Sequence, residues 1–379
     1  MDWSIPLFKI YWDEQDVGKV SEAIRRGMYW ATGPDVQEFE ARIAQYVGTS
    51  YAVTFNSGTS ALHAVLVACG IGREDEVIVP SFTFIATANA PLFVGAKPVF
   101  AEVEEKTYGL DPEDVERKIT PKTKAIMPVH YGGSPCLIEE VKQIANKHNL
   151  LLIEDAAESL GASVDGKKVG SFGDAAMFSF CAPKIITMGE GGAVVTNSRD
   201  VYENLKLVRS HGRVETSDYF STSEHLEYVT LGYNFRMSNI TAALGIAQLE
   251  KIDKIIQMRR EKAAYMTQKL SAISQITLPA VLDNFFHLYQ MYTIRVRGEK
   301  RDDLMKYLNY RGIGAKVYFD PVHLTQFYRE KFGYSGGELP LTEKLSQQVL
   351  TLPMYPTLTE DEINYIADEV AVFFSSGEK

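Results

Sequence analysis

Ser179-Phe180-Cys181-Ala182-Pro183-Lys184-Ile185-Ile186-Thr187-Met188-Gly189-Glu190-Gly191-Gly192 is the stretch from which both the fold and the chemistry are read. The apolar run Ala175-Ala176-Met177-Phe178 before it reads as a buried strand continuing to Phe180. Ala193-Val194-Val195-Thr196 after it reads as another, with Gly189, Gly191 and Gly192 supplying the turn. One lysine therefore sits in a loop between two interior strands, next to Pro183 and among apolar side chains. Burying an ammonium is expensive, and a lowered pKa is the cheap escape. An amine that is neutral part of the time can form a Schiff base with an aldehyde. A solvated lysine in a hairpin is the ordinary alternative for this segment taken alone.

Outward from this loop the chain alternates short strands and helices. Strands are expected at Tyr51–Phe55, Glu76–Val79, Lys97–Val103, Ala125–Val129 and Leu151–Glu154. Helices fall between them, at Ala61–Ala68, at a segment running through Val94, at Pro112–Ile119 and at Leu137–Lys147. Strands that are apolar throughout belong to a mostly parallel sheet sandwiched by helices, and ligands bind such sheets at the carboxyl ends of the strands. Two helices precede this part, Asp13–Arg26 and one opening at Asp35. From Ser238 onward the texture changes to a long helix, a charged helix over Arg259–Leu270 and a strand over Tyr289–Arg297. A helix over Arg301–Tyr310, a strand over Ala315–Phe319 and helices near Thr342–Val349 and Glu360–Phe373 follow. The expected architecture is α/β, with a large domain over residues 1–250 and a smaller α+β domain over residues 251–379.

The length of 379 residues favours two domains, and 45% hydrophobic with 23% charged residues is the composition of a globular protein. A net charge of -10 argues against nucleic acid or an anionic membrane as partner. No apolar run approaches about 18 residues. Cys69, Cys136 and Cys181 are too few and too scattered for a disulfide framework or a metal site, which suits the cytoplasm.

Several groups could carry chemistry at the expected strand ends. Asn56-Ser57-Gly58-Thr59-Ser60 marks a strand giving way to a helix, where unpaired amides welcome a phosphate, or where Ser and Thr merely cap the helix. Asp155 ends a strand and could hold a cationic ring nitrogen protonated, or act as a helix cap. Phe84 offers a flat face for a ring or a piece of core, and Ser179 could help hold a phosphate. Together these are the needs of pyridoxal 5'-phosphate: a phosphate cradle, a stacking aromatic, an aspartate for the pyridine nitrogen and a lysine for the aldehyde.

The chain resembles the DegT/DnrJ/EryC1/StrS family of sugar aminotransferases, from Thr32-Gly33-Pro34 through Leu352-Pro353-Met354-Tyr355-Pro356. The matching blocks are Asn56 to Leu62, Pro80-Ser81-Phe82-Thr83-Phe84, Glu154-Asp155-Ala156-Ala157-Glu158, Ser179 to Gly192, and Gly232-Tyr233-Asn234-Phe235-Arg236-Met237. The resemblance implies the type I fold of pyridoxal-phosphate-dependent transferases. It implies that Lys184 carries the cofactor and shuttles the proton, that Asp155 pairs with the pyridinium nitrogen and that Phe84 stacks on the ring. Glu158 would lie against the other face or near the ring hydroxyl. Gly58, Thr59 and Ser179 would hold the phosphate, with Asn234 reaching the phosphate of a neighbouring subunit in a homodimer. The implied reaction moves the amino group of L-glutamate, which leaves as 2-oxoglutarate, onto a nucleotide-linked keto-deoxysugar for polysaccharide or glycan biosynthesis.

Two features set this member apart. Cys181 stands where the family commonly has His, Asn or Tyr, and the spacing Lys184-x-x-Thr187-x-Gly189-Glu190-Gly191-Gly192 is similar to that of members acting at C4 of the sugar. A dehydratase on the same fold has histidine in place of the lysine. Aminotransferases of cyclitols or aromatic precursors, and a regulatory protein, are the remaining alternatives. His323, in Asp320-Pro321-Val322-His323, is expected at the mouth between the domains, as a sugar-phosphate contact or a structural residue.

Overall fold

The computed structural model describes residues 3–214 and 226–376. Its strands in chain order are β1 (Tyr51–Phe55), β2 (Glu76–Pro80), β3 (Lys97–Ala101), β4 (Thr123–Ile126) and β5 (Leu151–Asp155). Next come β6 (Ser163–Val164), β7 (Lys167–Lys168), β8 (Ala175–Ser179) and β9 (Gly192–Thr196). The last are β10 (Ile276–Thr277), β11 (Phe285–Phe286), β12 (Tyr292–Val296) and β13 (Val349–Leu352).

The central seven-stranded sheet has the order β1-β9-β8-β5-β4-β2-β3. β9 runs antiparallel to both its neighbours, and the other pairings are parallel, as expected for strands apolar on both faces. In β8 the alternation divides the side chains between two cores. Ala176 and Phe178 pack with the helices Pro34–Val47 and Asn239–Glu250, while Ala175 and Met177 pack with the helix Gly58–Ala68. β10, β12 and β13 form a separate three-stranded sheet whose core includes residues of the helices Ile252–Leu270, Arg301–Tyr310 and Glu360–Ser376. Ile5, near the other end of the chain, packs into that same core and bridges to Ile313.

The helix Ile252–Leu270 serves both cores. Ile252, Ile255 and Ile256 pack against the central sheet, and Ala263, Met266 and Leu270 against the second. Between them Arg259 is buried, its Nη1 donating to the carbonyls of Tyr289, Gln290 and Met354 at 3.2, 3.3 and 3.1 Å. Burial lowers its pKa to about 10.

Three expectations need correction. The first helix of the sheet starts at Gly58 rather than Ala61, because Ser57 caps it by accepting the N–H of Ser60 at 3.1 Å. Ala315–Phe319 is no strand: its only sheet-like pairing is the bridge between Lys316 and Thr351. The helix expected near Thr342–Val349 ends at Gln348, and Val349–Leu352, for which no strand was expected, forms β13. A run of Val, Leu and Thr suits a strand, so the misplaced boundary lay in the polar residues before it.

Candidate active site

The carboxyl ends of β1, β2, β5 and β8 share one edge of the sheet, where a cavity of about 450 Å3 opens. Asp155 is the last residue of β5. Its N–H bonds to Pro128 O at 2.9 Å and its carbonyl accepts from His130 N–H at 3.0 Å, which fixes the strand end. The strand's alternation then separates two adjacent acids. Glu154 points away from the cavity into a closed shell, accepting from Gly170, Phe172 and Gly173 N–H at 2.7–2.8 Å and meeting His130 Nε2 at 3.0 Å. His130 Nδ1 in turn accepts the Cys136 N–H, so the imidazole proton sits on Nε2, facing Glu154.

Asp155 lines the cavity. It is buried with only two donors, Thr87 Oγ1 on Oδ2 at 2.7 Å and the Ala157 N–H on Oδ1 at 3.2 Å. Burial raises its pKa above the ordinary 3.8, opposed by those two donors. Thr87 belongs to the helix Ile85–Phe93, and its oxygen also meets Thr83 Oγ1 at 2.8 Å.

Lys184 lines the same cavity, and its loop is pinned from three sides. Ile185, Ile186 and Met188 are buried in the core beneath, Lys184 N–H bonds to Cys181 O at 3.0 Å, and Gln290 Nε2 donates to Pro183 O. Gly189 takes φ +80°, the left-handed turn the loop requires. The lysine is not the uncompensated ammonium expected from its apolar neighbours. Glu158 Oε1 lies 3.3 Å from its Nζ, while Glu158 Oε2 accepts the Gly132 N–H at 2.8 Å.

Gly58, Thr59 and Ser179 meet on the opposite wall. With Ser60 N–H bonded to Ser57 Oγ and Ala61 N–H to Ser57 O, the N–H groups of Gly58 and Thr59 are the first-turn donors left over. A Cβ on residue 58 would come 3.0 Å from Ser179 Cβ and 3.1 Å from its Oγ, so only glycine keeps this corner open. Phe84 caps the helix over the cavity with 60% of its surface exposed, an unusual state for a phenylalanine that lines a pocket.

These groups fit a phosphorylated pyridine aldehyde. The helix start offers donors and a positive dipole end to a phosphate, and an under-compensated buried carboxylate offers a counter-charge to a protonated ring nitrogen. Lys184 reaches the space between.

Asn234 stands apart: it is exposed, and its backbone bridges to Ser210 outside this cavity. His323 does not reach the cavity either. It is fully buried between Ser81 Oγ at 2.7 Å and Glu343 Oε1 at 3.1 Å, a structural residue. Sequence reading missed Thr87, although Thr83 and Thr87 four apart at a helix start are a signal for a hydroxyl pair. It also missed Gln290, Lys316 and Tyr318, which the second sheet and its loops bring to the cavity and which no local pattern marks.

A sequence profile of the DegT/DnrJ/EryC1/StrS aminotransferase family matches residues 11–371. The GDP-perosamine synthase of Caulobacter vibrioides is 41% identical over 341 residues, 89% of each chain. Among solved structures, S. venezuelae DesV in complex with a ketimine intermediate is 33% identical with a TM-score of 0.89 over 99% of each chain. Spr1654 from Streptococcus pneumoniae in its PLP form is 27% identical with a TM-score of 0.91 over the whole of both chains. With this fold and this cavity, the chain belongs to the DegT/DnrJ/EryC1/StrS aminotransferase family and is a pyridoxal-phosphate-dependent aminotransferase.

Proposed function

We propose that this protein moves the amino group of L-glutamate onto a nucleotide-linked keto-deoxysugar, at C4, for polysaccharide or glycan biosynthesis. The observation that carries the reading is the convergence of Lys184, Asp155 and the Gly58 helix start on one cavity. The similarity to a relative named for a GDP-linked sugar supports the nucleotide, and the spacing from Lys184 to Gly189 supports C4.

Pyridoxal phosphate, when bound, supplies an electron sink for the carbon that loses its proton. Asp155 holds a proton on the ring nitrogen, and Thr87 keeps that carboxyl aimed and ionised. Lys184 Nζ takes the proton from the α-carbon of glutamate and, in the second half of the exchange, moves one at the sugar carbon, a positioned transfer worth about 10²–10⁴-fold. Glu158 holds the free Lys184 ammonium in place between these events. Gly58, Thr59 and Ser179 hold the phosphate, and Phe84 gives the ring a face.

Asn234 reaches the phosphate of a second copy, so the working unit is a homodimer. Its surface already exposes Met28, Trp30, Tyr228, Val229 and Leu231, with Leu231 at 77%. We divide the chain into a cofactor domain over residues 1–250 and a smaller one over residues 251–379, with Ile5 crossing into the core of the second and Ile252, Ile255 and Ile256 into that of the first. No helix among the described residues is long and apolar enough to cross a membrane, and the free cysteines suit work in the cytoplasm.

Borohydride reduction of the protein with pyridoxal phosphate should add the pyridoxyl mass to the Lys184 peptide of the wild type and leave Lys184→Ala unlabelled. GDP-, UDP- and dTDP-linked 4-keto-6-deoxysugars, each incubated with L-glutamate, should yield an amino-sugar mass for at least one. Amination of a cyclitol or aromatic ketone in place of all three would overturn the substrate class.

A further inference from the structure

Five charged side chains line the cavity: Asp155, Glu158, Lys184, Glu190 and Lys316. Four of them are accounted for or repel an anion. Lys184 and Glu158 pair with each other, Asp155 is committed to the ring nitrogen, and Glu190 is an exposed acid. Yet both substrates of the proposed exchange are anions, one through carboxylates and the other through a diphosphate. The helix start at Gly58 would be taken by the cofactor's own phosphate. Lys316 is the cation that remains among the described lining residues.

Its placement is not that of a loose surface lysine. Lys316 N–H bonds to Thr351 O at 3.2 Å and Thr351 N–H returns to Lys316 O at 2.9 Å, so its backbone is pinned to the edge of β13. Thr351 is itself held through Thr293 Oγ1 at 2.9 Å, and Tyr131 OH ties Thr293 at 3.1 Å to the carbonyl of Tyr318 at 2.5 Å. The ammonium lies 4.9 Å from the centre of the Tyr318 ring, over its face. Tyr318 also lines the cavity, and its phenol pKa is pushed up by burial first and then by the nearby charges of Glu158 and Cys181. No carboxylate is paired with Lys316 among the described residues, which leaves its charge available to a ligand.

We propose that Lys316 is the anion-recognition residue of the outer cavity, receiving in turn the carboxylate of the amino donor and the diphosphate of the acceptor. The inference rests on the proposed function and adds which residue reads the charge its substrates share. An exposed ammonium making one charge-assisted contact is worth about tenfold in binding, and salt screens it.

The test uses the holoenzyme and its Lys316→Gln and Lys316→Arg variants, with thermal melting and the cofactor absorbance band confirming that each is folded and loaded. One arm follows the single-turnover spectral change with L-glutamate. The other measures inhibition by GDP, UDP and dTDP. Lys316→Gln should raise the half-saturating concentration of glutamate, of a diphosphate or of both by about tenfold, more than it lowers the limiting rate. It should flatten the dependence on salt, and Lys316→Arg should restore most of the loss. A shift in one arm alone names the source of the anion. If the wild type responds and Lys316→Gln matches it in both arms, or loses only limiting rate, the inference is wrong while the functional reading stands. A loaded wild type inert to glutamate and insensitive to all three diphosphates overturns both.

Discussion

Thr87→Val isolates the contact on which the electronic role of Asp155 depends. The substitution keeps the shape of a side chain that is 1% exposed and deletes one of the two donors to the carboxylate, the 2.7 Å bond from Oγ1 to Oδ2. A hydrogen bond to a charged group contributes about 1.5–3 kcal/mol. Its loss moves the Asp155 pKa further up, because a donor that favours the carboxylate is removed. Burial already raises that pKa, and the lost donor is one of the two that oppose it. Less of the carboxylate is ionised, the ring nitrogen is held less firmly in its protonated form, and the limiting rate should fall about ten- to hundredfold. The acid limb of the pH profile should move to higher pH. Steady-state rates with glutamate across pH, beside the cofactor content of each preparation, measure both. Thr83→Val is the control: it removes a hydroxyl that supports Thr87 without touching Asp155, and should change the rate by less than about threefold. A Thr87→Val enzyme with the wild-type rate and an unmoved acid limb would show that Asp155 does not need this donor.

Three further outcomes follow from other parts of the site. Asp155→Asn should lower turnover by about a hundredfold or more yet raise the melting temperature of the cofactor-free protein at neutral pH. A carboxyl whose folded pKa is raised binds its proton more tightly when folded, so it costs stability as pH climbs above 3.8, and the amide escapes that cost. Gly58→Ala should retain the fold, since alanine is favoured in a helix by about 1 kcal/mol. Its Cβ at 3.0 Å from Ser179 should nonetheless weaken cofactor retention, read from the absorbance left after dialysis. Glu154→Gln should destabilise by about 1.5–3 kcal/mol in denaturant melts, the worth of a hydrogen bond to a charged group. Burial works against that carboxylate, but His130 and the Gly170 and Gly173 N–H groups hold its pKa below 4.5, so its contribution is present above that pH and fades in acid.

The sheet was legible because its strands are uniformly apolar and punctuated by Gly, Pro and capping residues, signals that act within a few positions. Lys184, Asp155, Gly58 and Ser179 each sit where a strand meets a loop, which marked them as candidates, and the cavity they share is where the strand ends place them. The roles given to them came from the resemblance of whole blocks rather than from local pattern. What the sequence hid were partnerships over long separations. That Glu158 rather than empty apolar space faces Lys184 depends on the packing of β5 against β8 and on Gly132. Lys316 gave no sign at all, because a lysine on an irregular segment has no period. Its position comes from a bridge to Thr351, in a strand that the sequence reading did not assign.

The helix Ile252–Leu270 has a mechanical consequence. One rod is embedded at one end in the first core and at the other in the second, with Arg259 stapling three carbonyls at its middle, so the two walls of the cavity share a single support. The floor that carries Lys184 and Asp155 and the rim that carries Phe84 and Lys316 are thereby built on one frame.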